Sequence, residues 1–191
     1  MKNSKQLASK LASHIKKLKK RSDPLEMADP VHVLVYSQLL WEADTSRADE
    51  WWGRLAEERL DWHELRVSTA EEIATMCGDK TALGEERASR LRSMLNHLYQ
   101  RHHDVTLMPE LALGKRDMRD AIESLDGITP FVANRWLLVC GDVGGIPLDD
   151  QLRWMLVNAG CLDDGASLTE AASWVSRQIK GDAAWDTHAK L

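Results

Sequence analysis

The chain has 191 residues, which is enough for one compact domain or two small lobes with a real hydrophobic core. Hydrophobic residues make up 43%, and no apolar run reaches the length of a membrane-spanning helix, so we expect no membrane partner. The N-terminus lacks the apolar core of a signal peptide, which predicts a cytoplasmic protein. The three cysteines, Cys77, Cys140 and Cys161, form no CxxC pair, so the sequence suggests neither a zinc site nor a disulfide framework.

Basic charge is concentrated in the first 21 residues, whereas the whole chain has a formal charge of −5. Apolar residues recur there at helical spacing, which predicts an amphipathic helix that docks on the body of the protein. The lysines around this stripe form either a solubilising tail or a site for a polyanion such as nucleic acid. The apolar stripe is Leu7, Leu11, Ile15 and Leu18, and the lysines we single out for DNA binding are Lys16, Lys17, Lys19 and Lys20.

Helical periodicity continues beyond this segment with almost no β-branched alternation, which predicts an all-α fold. Asp29-Pro30 is typical of a helix start, with Asp at the N-cap and Pro at the first helical position. The helix from Val31 to Trp41 is apolar on nearly all sides, which predicts a central, buried helix. Further boundaries are expected at Thr45 as a cap, at a capping box over 68–71, and near His103.

The C-terminal half contains two short motifs separated by one predicted helix. Residues 125–136, LDGITPFVANRW, predict the end of one helix, a tight turn at Gly127 and a second helix from Pro130. A glycine-rich turn then leads to Leu148-Asp149-Asp150 at the head of the next helix. A capping box over 167–170 predicts one more helix, and residues 181–191 are predicted to be frayed.

Together these motifs resemble the helix-hairpin-helix and the following aspartate of the endonuclease III superfamily of DNA glycosylases. The usual hairpin is Leu-x-Gly-apolar-Gly-x-x-x-Ala, and here Thr129 stands in place of the second glycine. Asp149 follows the hairpin by one helix and a short turn, at the family's position for a carboxylate. The apolar helix after Asp29-Pro30 resembles the family's first barrel helix, so the resemblance covers roughly residues 29–160. The residues that match the hairpin are Leu125, Gly127, Ile128 and Ala133.

The resemblance implies an all-α, two-lobed, endonuclease III-like fold with the site in the cleft between the lobes. A barrel-like lobe would comprise residues 29–149, with the helix-hairpin-helix at about 116–141. Residues 1–28 and 150–191 would form the second lobe. We expect the protein to be a monomer.

The resemblance also implies base-excision repair on double-stranded, damaged or mismatched DNA. The enzyme would extrude one nucleotide and cleave its N-glycosidic bond. Asp149 would stabilise the cationic sugar or activate the nucleophile, although an aspartate here also suits a simple helix cap. The hairpin would bind a DNA phosphate through backbone N–H groups. The hairpin residues assigned to DNA are Gly127, Ile128, Thr129 and Phe131.

The sequence departs from the family at three places. Bifunctional members carry a Schiff-base lysine at the position of Phe131, so we predict a monofunctional enzyme without lyase chemistry. The four-cysteine iron–sulfur loop of many relatives is absent, since Cys161 stands alone there, so we expect no cofactor and no metal. Many relatives have a gap-filling glutamine where this chain has Glu42 and Asp44, which are either a second catalytic acid or an acidic helix end.

Two other functions remain open at this point. The loss of the lysine and of the second hairpin glycine also fits a catalytically inactive DNA-binding relative. The net acidity and the eight tryptophans fit a helical protein-interaction module without a nucleic-acid role. A lysine-rich face shared with the hairpin and the cleft would favour DNA binding over the interaction module.

Overall fold

The computed structural model describes residues 4–19, 29–58, 61–143 and 145–191. This part of the chain is all-helical and contains no strand, as predicted. No helix within it is long and apolar enough to cross a membrane. The helices are α1 (Ser4–Lys17), α2 (Pro30–Leu40), α3 (Thr45–Glu57), α4 (Trp62–Val67), α5 (Ala70–Cys77), α6 (Ala82–His102), α7 (Met108–Leu111), α8 (Lys115–Glu123), α9 (Pro130–Cys140), α10 (Asp150–Asn158), α11 (Leu168–Gln178) and α12 (Ala184–His188).

The larger hydrophobic core forms around α2, nearly all of which is buried. The helix begins where Asp29 Oδ1 accepts the N–H of Val31 at 2.7 Å, with Pro30 in the first turn. Helices α3, α6 and α9 pack on α2. The indole N–H of Trp136 in α9 donates to the carbonyl of Pro30 at 2.8 Å. The predicted helix start and the predicted central burial are therefore both confirmed.

A second hydrophobic core forms from α1, the end of α9, and helices α10 to α12. Leu11 of α1 is 1% exposed, and the indole N–H of Trp174 in α11 donates to Ser4 Oγ at 3.0 Å. The predicted docking of this amphipathic helix is thus confirmed. Leu138 and Leu148 pack in this second core. The division into lobes between residues 149 and 150 stays a prediction.

Two predicted helix caps are displaced by one residue. Asp44, rather than Thr45, caps α3, because its Oδ1 accepts the N–H of Arg47 at 3.0 Å. The capping box of α5 joins Thr69 and Glu72, one residue later than predicted. Adjacent residues with similar capping ability make such a position ambiguous from sequence, and tertiary packing decides it.

The prediction of a frayed segment at residues 181–191 is wrong. Gly181–Ala183 forms a 3-10 turn and α12 follows it, with Thr187 and His188 buried. A helix of five residues is too short to show helical periodicity in sequence. Its order comes instead from packing against α9 and the second core.

Candidate active site

The hairpin between α8 and α9 is shaped by Gly127, whose φ is +83°. A Cβ at this position would lie 3.0 Å from the carbonyl oxygen of Arg90 and 3.1 Å from Ser93 Cβ, both on α6. The Arg90 guanidinium in turn donates to the carbonyl of Gly127 at 3.2 Å. The left-handed conformation and the close approach to α6 both require glycine here. The hairpin is therefore packed closely against α6.

Thr129 replaces the second hairpin glycine and acts as the N-cap of α9. Its Oγ1 accepts the N–H of Val132 at 3.3 Å, and Pro130 follows at the first helical position. Within the described part of the chain, the N–H groups of Gly127, Thr129 and Phe131 donate no hydrogen bond. These donors lie at the positive end of an 11-residue helix that carries no acidic residue in its first turn.

The remaining hairpin residue behaves differently. Ile128 packs its side chain against the larger core, and its N–H donates to the carbonyl of Leu125 at 3.1 Å. Its own N–H is therefore already engaged within the turn.

Asp149 is 3% exposed and is the N-cap of α10. Its Oδ1 accepts the N–H of Leu152 at 2.8 Å, and its Oδ2 accepts the N–H of Glu42 at 2.9 Å. Burial raises the pKa of this carboxyl above its ordinary value, and the two backbone N–H groups partly offset that rise. Asp149 is therefore a helix cap, as one of the two interpretations of the sequence predicted.

Glu42 joins the turn after α2 to the same helix end. Its Oε1 accepts the N–H of Asp150 at 2.9 Å, and its Oε2 accepts the N–H of Gln151 at 3.2 Å. Burial, and then the nearby carboxylates of Asp149 and Asp150, raise the pKa of Glu42 despite these hydrogen bonds. Of the two acids considered in this turn, Glu42 therefore caps α10 from a distance and Asp44 caps α3.

A cavity of about 790 Å³ lies beside Asp149, where elements of both cores meet. Aromatic and apolar side chains form much of its wall, and Asp149 is one of three aspartates that line it. Tyr36 donates a hydrogen bond to Asp49 Oδ1 at 2.6 Å at this wall. The aromatic rings that line the cavity belong to Tyr36, Trp52, Phe131, Trp185 and His188.

Phe131 lines this cavity and is 3% exposed. Its ring centroid lies 6.2 Å from that of His188 in α12, in an edge-to-face arrangement, and Trp185 lies 6.0 Å from the same imidazole. Burial and the neighbouring Arg135 lower the pKa of His188 to about 3, so its imidazole is neutral at pH 7. The position of the family's amine is therefore occupied by a neutral aromatic cluster.

The basic residues predicted to bind DNA are only partly brought to this cavity. Lys19 lines it, whereas Lys16 and Lys17 are exposed on α1. Lys20 lies outside the described residues. The sequence did not point to Lys190, which also lines the cavity from the end of the chain segment after α12.

The cysteines do not fit an iron–sulfur cluster. Such a cluster takes four thiolate ligands, and the chain has three cysteines in all. Burial raises the pKa of Cys77 and of Cys140 to about 12, so both are neutral thiols at pH 7. Among the described residues, no three His, Cys, Asp or Glu side chains come together as a metal site.

Sequence reasoning missed several residues of the site. Trp185, His188 and Lys190 belong to the segment predicted to be frayed, so no local signal pointed to them. Arg135 also lines the cavity, although it is only 2% exposed. The signal in the sequence is an arginine within an otherwise apolar helix. Such a helix is expected to be buried, and charged residues are rarely buried without a partner.

The comparisons with known proteins give matches in structure alone. No protein-family model and no curated protein matches the chain. A trapped covalent endonuclease III–DNA intermediate aligns with a TM-score of 0.69 at 16% identity, over 100% of this chain and 84% of that chain. A thermostable thymine-DNA glycosylase aligns at 0.63 and 14% identity, over 98% and 83%.

An 8-oxoguanine glycosylase/lyase from Clostridium acetobutylicum, in its apo form, aligns with a TM-score of 0.63 at 12% identity. The alignment covers 98% of this chain and 70% of that chain. At such identities the likeness concerns the fold alone. This chain therefore has the endonuclease III-type fold that these DNA glycosylases share.

Proposed function

We propose that the protein is a monofunctional DNA N-glycosylase that removes a damaged or mismatched base from double-stranded DNA. The observation that carries this proposal is the position of Asp149. Its carboxylate is buried at the wall of a cavity of about 790 Å³ that is lined by aromatic rings. A base turned out of the helix would enter such a cavity and stack on its walls.

In this mechanism Asp149 acts on the sugar of the extruded nucleotide. The C1′–N bond breaks with its electron pair leaving on the base, and positive charge develops on the sugar. The Asp149 carboxylate stabilises that charge, or accepts a proton from the water that attacks C1′. The departing base takes up a proton from solvent, so the products are the free base and an abasic site. The two backbone N–H groups on its oxygens keep the carboxylate oriented while this happens.

DNA would be held by the open N-terminus of α9 and by the basic helix α1. The N–H groups of Gly127, Thr129 and Phe131 suit one phosphate, since they have no acceptor among the described residues and lie at or just before the positive end of a helix. Lys16, Lys17 and Lys19 supply positive charge that the otherwise acidic chain lacks. Lys19 would reach a phosphate close to the cavity, because it lines the cavity wall.

The absence of an amine at Phe131 supports a glycosylase without lyase activity. Water is then the nucleophile, and the DNA strand stays intact after base release. Lys19 and Lys190 are the lysines that line the cavity in the described part of the chain, and neither occupies the motif position. They are the first candidates if a covalent adduct forms.

A DNA-binding protein without excision activity is the second candidate. The observation that favours it is that both carboxylate oxygens of Asp149 already accept a backbone N–H. An aspartate in that arrangement is a complete helix cap even if no chemistry occurs.

The test is a panel of duplexes, each with one damaged or mismatched base, under single-turnover conditions. We expect base release from at least one duplex, with strand breakage only after alkaline treatment, and no adduct with abasic DNA on borohydride reduction. An adduct would show amine catalysis and contradict the monofunctional assignment. Binding without release from any duplex would favour the second candidate.

A further inference from the structure

We infer that Glu42 and Arg87 are positioning residues for Asp149, and that they act as one clamp between the larger core and α10. The clamp consists of hydrogen bonds that link Arg87, Glu42 and the start of α10. Its role in base excision rests on the function proposed above. Three residues distant in sequence, at positions 42, 87 and 149, are joined by it.

The contact between Glu42 and α10 is reciprocal. The Glu42 N–H donates to Asp149 Oδ2 at 2.9 Å, while the Glu42 carboxylate accepts the N–H groups of Asp150 and Gln151 at 2.9 and 3.2 Å. Two carboxylates, one local and one distant, thus satisfy the N–H groups of Asp150, Gln151 and Leu152 at this helix start. This pattern resembles a capping box whose two halves come from different parts of the chain.

Glu42 adopts a backbone conformation that a glutamate seldom takes, with φ at +54°. A non-glycine residue in the left-handed region persists where the surrounding contacts hold it. Here the conformation points the N–H of Glu42 at Asp149. The unfavourable backbone conformation of Glu42 therefore places a hydrogen-bond donor on the carboxylate on which the proposed chemistry depends.

Arg87 in α6 holds the other side of the same turn. Its Nε donates to the carbonyl of Trp41 at 2.7 Å, and its Nη2 donates to the carbonyl of Glu42 at 2.6 Å. Its Nη1 donates to Asp79 Oδ2 at 2.9 Å, and its guanidinium lies 4.9 Å from the ring centre of Trp51. Arg87 is 5% exposed, so this turn is fixed from inside the larger core.

The fixed guanidinium geometry explains why arginine suits this position. Three of its nitrogens engage three different acceptors at once, which a lysine ammonium on a flexible stem cannot reproduce with the same geometry. The Arg87→Lys variant therefore keeps the charge and loosens the turn. The Glu42→Gly variant keeps the N–H donor and the left-handed backbone, and removes the carboxylate that ties the turn to α10.

The experiment follows amide proton shifts by NMR across a pH titration of the DNA-free protein. The amides of Glu42 and Leu152 donate to opposite oxygens of Asp149, so both shifts report its ionisation. The other ionisable side chains at the carboxylate or around its cavity are Glu42, Asp150, Lys19, Lys190, Arg135, His188, Asp44, Asp49 and Tyr36. In the wild type we expect the two amides to titrate with a common midpoint that belongs to Asp149.

In both Arg87→Lys and Glu42→Gly, the amide at position 42 should lose this response while that of Leu152 keeps it. Single-turnover base release should fall about tenfold, with unchanged affinity for abasic-analogue DNA, since a small misplacement of a reacting group costs rate rather than binding. Matched controls are Arg92→Lys, exposed on α6, and Asp142→Gly, an exposed acid at φ +47°. Neither control should change the titration or the rate.

An amide at position 42 that still titrates with Asp149 in both variants would overturn the clamp. Wild-type base release in the two variants would overturn its positioning role, as would a loss of release that only follows a loss of folded protein. The titration needs no DNA substrate. A wild-type protein that titrates as expected and releases no base would therefore contradict the proposed function and leave the clamp standing.

Discussion

Two helix N-termini border the site, and their N–H groups are capped in opposite ways. At α9, Thr129 supplies a neutral cap, and three N–H groups of the hairpin and first turn donate no hydrogen bond within the described residues. At α10, the carboxylates of Asp149 and Glu42 together accept the N–H groups of the first turn. The start of α9, the open end, keeps N–H groups without an acceptor among the described residues, whereas the start of α10, the filled end, already holds two anionic side chains.

The difference shows how one physical property can serve two tasks. The partial positive charge at a helix N-terminus attracts negative charge in both cases. At α9 that charge would come from a DNA phosphate, whereas at α10 it comes from the protein and is kept at the cavity wall. The open end therefore suits binding, and the filled end suits a carboxylate that acts on a developing cation.

Replacing Asp149, the N-cap of α10, should have the largest effect on base release. The Asp149→Asn variant keeps an acceptor for the N–H of Leu152 but removes the negative charge, so base release should fall by about 10³-fold or more. Affinity for abasic-analogue DNA should stay within about twofold, because the open end of α9 is untouched. Single-turnover excision and equilibrium binding measure the two quantities.

The matched control for this change is Asp150→Asn, the neighbouring exposed acid whose side chain pairs with Arg153. It should leave base release near the wild-type rate. Unchanged release in Asp149→Asn would remove this carboxylate from the mechanism and reduce α10 to a structural helix.

Placing a carboxylate at the open end should have a smaller effect, on binding alone. Aspartate is a good N-cap, so Thr129→Asp should keep the stability of α9 while its charge repels a phosphate. DNA affinity should fall about tenfold, and the salt dependence of binding should decrease by roughly one phosphate contact. Titrations at several salt concentrations measure both.

The same substitution at the N-cap of α5, Thr69→Asp, serves as the control, since it adds the same charge at the start of a different helix. Equal losses of affinity in the two variants would mean that only overall charge matters. The open end of α9 would then have no specific role in binding DNA.

The sequence could predict the parts of the site that depend on local signals. Asp29-Pro30, the Gly127 turn and Asp149 as a helix cap all follow from residues next to each other, and the structure has each of them. The all-helical fold follows from periodicity that persists along most of the chain. The confirmed predictions therefore rest on capping, turn chemistry and amphipathic spacing.

The remaining features depend on contacts between residues far apart in the chain. The hydrogen bond from Glu42 to Asp149 spans 107 residues, and that from Arg87 to Glu42 spans 45. The wall formed by Trp185 and His188 belongs to a helix of five residues that has no periodic signal of its own. A single sequence carries no direct information on which distant residues meet, so these features appear only in the folded structure.

The most direct test of the central claim is binding to a duplex with one abasic-site analogue, compared with the same duplex intact, at moderate salt. An extruded sugar at the cavity beside Asp149, together with the open end of α9, predicts tighter binding to the abasic duplex by at least about tenfold. The measurement requires no knowledge of the target base. Equal affinity for both duplexes would contradict a base-extruding cavity, and no binding to either would point instead to a helical protein-interaction module.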